Sequence, residues 1–123
     1  MKKRKTTEEE YQQFCDEVSR LVKLFELCDW NVYFEFEDFK NNGIIACVIP
    51  NMIGRVANFK LNKRICDDDA RNIKGLALHE VIHLLFSEIT QLGESRYITA
   101  DEWNAAVERT AVRLENILPR FIT

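Results

Sequence analysis

The sequence predicts an α+β domain with the element order α-β-β-β-α-α. Three observations lead there: an apolar stripe at helical spacing near the N-terminus, alternating residues with turn signals in the middle, and two helical patterns at the end. The 123 residues fit one domain, 1–123, with residues 1–6 expected to be flexible.

The first helix is expected over about Thr7 to Cys28. Its apolar positions are Tyr11, Phe14, Cys15, Val18, Leu21, Val22, Phe25 and Cys28, one stripe at helical period. Before it stands the basic run Lys2, Lys3, Arg4 and Lys5, expected to be a frayed terminus. The period then changes. Val32, Phe34 and Phe36 alternate with Asn31, Tyr33 and Glu35, as in a half-buried strand. Asn41-Asn42-Gly43 signals a turn. A second strand follows over Ile44–Ile49, broken by Pro50 and Asn51, and Gly54 marks another turn. A third strand is expected over Arg55–Leu61. Successive strands with short connections imply an antiparallel meander.

Asp67, Asp68 and Asp69 suit the start of a helix, where carboxylates meet free N–H groups and the positive end of the dipole. That helix is expected to run to about Thr90 and stop near Gly93. Its apolar residues, Leu76 to Leu78 and Val81 to Phe86 among them, cover nearly every face not taken by His79, Glu80 and His83, so the helix is expected to be buried. Thr99 and Glu102 form a capping box at the start of a last helix that ends by Pro119. In it Trp103, Val107, Thr110, Leu114, Ile117 and Leu118 read as a core stripe.

Composition narrows the function classes. Hydrophobic residues are 46% of the chain, enough for a core without disulfides. The net charge of −3 gives no field that favours nucleic acid or an acidic membrane. Cys15, Cys28, Cys47 and Cys66 are widely spaced, as in a reduced protein rather than a disulfide framework. The charged N-terminus has no apolar signal segment after it, and no apolar run is long enough to span a bilayer, so a cytoplasmic protein is expected.

The chemistry concentrates in His79-Glu80-Val81-Ile82-His83. Histidines four apart lie on one helical face, one turn apart, and can hold the same ion. Glu80 is rotated by roughly 100° from His79. It is poorly placed as a third ligand beside the pair, but it can reach a metal-bound water. This pattern suits zinc hydrolysis, with His79 and His83 as ligands and Glu80 as general base. These are the only two histidines in the chain, so a third protein ligand must be a carboxylate, with cysteine the weaker option. With the motif helix ending near Thr90 and the last helix returning antiparallel, Glu108 falls opposite His83 and leads the candidates. Glu94, Glu102, Asp101 and Glu115 are the alternatives. Arg96 and Tyr97 precede the last helix and are candidate donors to an oxyanion.

The segment Leu76 to Leu85 resembles the extended signature of zincin metallopeptidases. Glu108-x-x-Ala111, followed by Leu114, Leu118 and Pro119, resembles the glutamate helix of small ImmA/IrrE-type and SprT-like intracellular peptidases. Size, the three-strand region and the Arg-Leu-Glu-Asn segment are similar to short metallopeptidases of phages and prophages. The resemblance implies a minimal zincin-like fold, a zinc ion on His79, His83 and Glu108, and hydrolysis of a protein or peptide substrate. It also implies an edge strand above the motif helix, Ile44–Ile49 or Arg55–Leu61, that pairs with substrate backbone. The competing expectation is a zinc-binding but inactive module that recognises a protein partner. The chain lacks the third histidine and glycine of a metzincin and the zinc-ribbon module often found with SprT-like proteins.

Overall fold

The computed structural model describes residues 2–39, 43–94 and 97–117. Asn41 and Asn42 of the expected turn, together with Arg96, Leu118 and Pro119, lie outside the described residues. The architecture is mixed α+β: two small sheets, two long helices that pack on one another and on the larger sheet, and a closing helix.

The N-terminus departs from expectation. Lys3–Lys5 forms a strand, β1, paired antiparallel with Arg64–Cys66. Charge complementarity holds the basic run in place. Arg4 bonds Glu10 at 2.8 and 2.9 Å and Asp67 at 2.7 Å, which ties β1 to the two following helix starts. Helix α1 covers Glu8–Leu24. Thr7 caps it, with Glu10 completing a reciprocal capping box. The helix stops before Cys28. Leu27 N–H donates to the Val22 carbonyl and Glu26 N–H to the Lys23 carbonyl, the pattern of a Schellman end. Glu26 takes the left-handed conformation there, φ 57°, where glycine is the usual residue.

Arg4 holds the Glu10 carboxyl down to about 2, against an ordinary value of about 4.3. A carboxylate whose pKa is lowered on folding stabilises the fold above its unfolded value and loses that contribution as pH falls towards the folded one. Glu10→Gln keeps an acceptor for the cap and loses the ion pair. It is expected to be less stable than the parent at pH 7, with the deficit shrinking between about pH 4 and pH 2. Urea titrations at several pH values check this; a deficit independent of pH would exclude the Arg4 pairing as its source.

The larger sheet is not a meander. Strands β2 (Asn31–Glu37), β3 (Ala46–Asn51) and β4 (Val56–Asn62) stand in the order β2-β4-β3. β4 runs parallel to β2 and antiparallel to β3. Burial explains the order. Ala57, Phe59 and Leu61 of β4 are fully buried, whereas β2 alternates exposed and half-buried residues. The most buried strand takes the centre, where both neighbours shield it. Segment 38–45 is long enough to carry the chain past β4 to the far edge. Pro50 and Asn51 do not break β3 but continue it. Pro50 aims its carbonyl away from β4, to Gln91 at 3.2 Å, so its missing N–H costs no ladder bond. Asn51 shapes the hairpin turn by accepting from Ile53 and Gly54 N–H. The left-handed residue of that turn is Arg55, φ 51°, held by an ion pair to Asp29 at 2.9 Å and by the Trp30 ring.

After β5 (Arg64–Cys66) the three aspartates form their own single turn, α2 (Asp67–Ala70). Helix α3 then runs Ile73–Glu94, four residues beyond Thr90. Gly93 is helical and does not end it. A Cβ at Gly93 would sit 3.2 Å from the Trp103 ring, so glycine there admits the next helix. That helix, α4, covers Ala100–Ile117, and Thr99 accepts the Glu102 N–H at its start. Phe14, Val18, Phe59, Leu61, Ile73, Ala77, Val81 and Leu84 form the centre of the core between α1, α3 and the sheet. None of the described helices is long and apolar enough to cross a membrane.

Candidate metal centre and its cleft

Helix α3 is buried along one side only. Ala77, Val81, Leu84 and Leu85 face the core, while Leu78, Ile82 and Phe86, 39–41% exposed, join the exposed residues. This corrects the expectation of a helix buried all round: α4 reaches α3 near its C-terminal half, through Gly93 and Glu88, and leaves that stripe open. Likewise Trp103 and Val107 of α4 are partly exposed, while Thr110 and Ile117 are buried.

The histidines lie on the open side. Their Nε2 atoms are 3.1 Å apart, with the rings edge to face at 4.7 Å. Two imidazole ligands on one tetrahedral zinc, at about 2.0–2.1 Å each, stand about 3.3 Å apart. The observed separation is close to that spacing, and it is also that of a hydrogen bond between the two rings.

Glu80 turns the other way, into the groove between α3 and β3. It is 7% exposed. Burial pushes its carboxyl pKa up; the two nearby histidines and the Val48 N–H, which donates to the carboxylate, pull against that rise. The Glu80 carboxyl is thus held above its ordinary value directly beside the imidazole pair.

The strand edge completes the cleft. Asn62 N–H donates to the Ile45 carbonyl at 2.9 Å, so odd-numbered residues of β3 bond to β4. The even ones, Ala46, Val48 and Pro50, direct backbone groups outward over α3. Of the two strands the resemblance allowed, Arg55–Leu61 is the sheet centre and only β3 is an edge above the motif helix. Glu80 divides the groove. Towards the start of α3 a hollow of about 380 Å³ is lined by residues including Ala46, Asn72, Gly75 and His79. Towards its end a chamber of about 320 Å³ is lined by Cys47, Val48, Pro50, His83, Ser87, Thr90 and Gln91, with Glu80 common to both.

Among the described residues, no third His, Cys, Asp or Glu joins the histidine pair. Glu108 is exposed on α4, beside Ala105, Arg109 and Val112. It does not lie opposite His83. Trp103 packs at Gly93 and Arg109 pairs with the buried Glu88, which sets Glu108 level with Glu88 and Ile89. The expected register assumed a helix ending at Thr90. Glu108 thus stands five to six residues past His83, roughly 8 Å at 1.5 Å per residue, and the four extra residues of α3 account for most of that slide. Glu94, Asp101, Glu102 and Glu115 are also exposed, and Glu102 accepts from the Thr99 hydroxyl. Tyr97 is 85% exposed and lines neither part of the groove. Cys47 does line the chamber, and burial raises its thiol pKa, with the Glu80 charge adding to the rise.

Sequence reasoning passed over Ser87 and Gln91. A signal was present: Glu80, Leu84, Ser87 and Gln91 recur at helical spacing and so share a face with the catalytic candidate. Compared with protein-family models, with curated proteins and with solved structures, the chain finds no significant match.

Proposed function

We propose that the chain is a zinc-dependent peptide hydrolase with a minimal zincin-like arrangement. One observation carries the reading: two converging imidazoles on an open helix face, with a buried carboxylate one residue away beneath the edge strand β3. His79 and His83 would hold the ion. Bound zinc supplies Lewis acidity and lowers the pKa of a water towards neutrality.

The remaining steps belong to the chain. The outward groups of β3 not taken by Glu80 or Gln91, those of Ala46 and the Val48 C=O, pair with an extended peptide and bring a carbonyl over the histidines. Glu80, oriented by the Val48 N–H, takes the proton of the attacking water and passes it to the leaving amine nitrogen. Glu108 is the third ligand in this reading, supported by the resemblance of its helix. In this structure α4 holds it at the level of Glu88, away from the pair.

The test is digestion of an unstructured peptide mixture by protein stripped with a chelator and then restored with one equivalent of zinc. Cleavage is expected only after restoration, at least about 100-fold above the stripped protein, the scale a positioned base and metal together exceed. Equal cleavage in both states would rule the metal out of the reaction.

A further inference from the structure

We infer that two copies of the chain pair through the free edge of β2, antiparallel about a two-fold axis at Phe34, into one sheet of order β3-β4-β2-β2-β4-β3. The inference does not depend on the hydrolase reading. β2 is the edge of the larger sheet opposite β3, the strand that lies over the motif helix.

Availability is the first argument. Asn31 N–H donates to the Arg55 carbonyl at 2.7 Å and Lys63 N–H to the Glu37 carbonyl at 2.9 Å, so the odd-numbered residues of β2 bond to β4. The even ones, Val32, Phe34 and Phe36, turn their backbone groups away from the sheet, and none of the described residues bonds to them. Such an edge is normally blunted by Lys, Pro, a bulge or an inward charge. β2 has none of these. Its register with β4 is unbroken over seven residues, and its inward side chains are Val32, Phe34 and Phe36. All three are only half-buried, although Phe34 meets Phe59 and Phe36 stacks on Tyr11.

Charge is the second argument, and it selects both the partner and the register. A two-fold axis between the strands makes them antiparallel, and the outward residues must face one another. With Phe34 opposite Phe34, Val32 lies opposite Phe36, Tyr33 opposite Glu35 and Asn31 opposite Glu37. Every residue of the strand is matched and no like charges meet. Shifting the pairing by two residues towards the C-terminus sets Glu35 against Glu35, and directly opposed like charges disfavour a pair. Shifting it the other way leaves Phe36 unmatched within the strand. Lys60 stands 3.3 Å from Glu35 and 3.5 Å from Glu37, which offsets the acidic charge that a second copy meets. An interface of this length falls in the weak class, below about 1,200 Å², so a dissociation constant on the order of 10–100 μM is expected. In the joined sheet the two β3 edges and their histidine pairs stand at opposite ends, and pairing leaves both clefts open.

Sedimentation velocity from about 5 to about 500 μM reads the association. Amide hydrogen exchange at the two ends of that range reads the surface, and the Val32, Phe34 and Phe36 amides are expected to exchange at least about threefold more slowly at the higher concentration. Tyr33 is 59% exposed, so its substitution tests the register without disturbing the core. Tyr33→Glu sets a carboxylate opposite Glu35 twice in each dimer, and Tyr33→Lys sets an ammonium there. The second variant is expected to associate about tenfold more tightly than the first. The same two substitutions at Asn104, exposed on α4, control for net charge and are expected to differ by less than about twofold. A parent that stays monomeric at the highest concentration overturns the inference. So does a dimer whose β2 amides exchange as in the monomer, which would place the interface on another face, or a dimer indifferent to the charge at Tyr33, which would exclude this register.

Discussion

Glu80→Gln is expected to lower peptide hydrolysis by about 10²–10⁴-fold while leaving zinc uptake intact. The substitution keeps the shape of the side chain and an oxygen to accept the Val48 N–H, so the groove should not rearrange. It removes only the capacity to take a proton. Because burial already disfavours the charged carboxylate at this place, a neutral amide fits at no cost in desolvation. Single-turnover cleavage and zinc content, measured on the same preparation, separate the roles. Undiminished cleavage would remove Glu80 as the base. A parent that takes zinc and cleaves nothing would point instead to a binding module.

Phe59→Ala is expected to cost about 3–5 kcal/mol, a large share of the roughly 5–15 kcal/mol that holds a domain together. Phe59 is fully buried at the middle of β4 and pairs with Phe34 and Val48 on the two flanking strands. Its ring lies 6.1 Å from that of Phe34, so truncation opens a cavity bounded by strands that cannot close on it. Helix α3 rests on the same core, which couples the loss to the site above it. Urea unfolding should show a lower midpoint at an unchanged slope. A loss under about 1 kcal/mol would mean that β4 is not the sheet centre.

Local chemistry was legible in the sequence wherever it was written in neighbouring residues. Thr7 with Glu10, and Thr99 with Glu102, mark helix starts because capping is a contact over three positions. The side-by-side histidines follow from helical spacing alone. Longer-range competition was not legible. The end of α1 carries no glycine, since Glu26 takes the left-handed position itself. Strand order depended on β4 being the most buried of three strands, a comparison that turn signals do not make. Lys3–Lys5 needed partners in Glu10 and Asp67 that are far apart in sequence. The α3–α4 register shifted because Gly93, read as a stop, is a seat for Trp103. Each of these misses propagated: the last one carried Glu108 away from the level of His83.

The proposed site stands or falls on whether His79 and His83 hold one zinc ion. Calorimetric titration of chelator-stripped protein with zinc tests it most directly, with His83→Ala and Glu108→Ala run beside the parent. One zinc per chain is expected, with a dissociation constant below about 1 μM for the parent, weakened at least about 100-fold in His83→Ala, and clearly weakened in Glu108→Ala. Parent protein that takes up no zinc, or His83→Ala that binds it as tightly as the parent, would rule out a zinc site on the histidine pair.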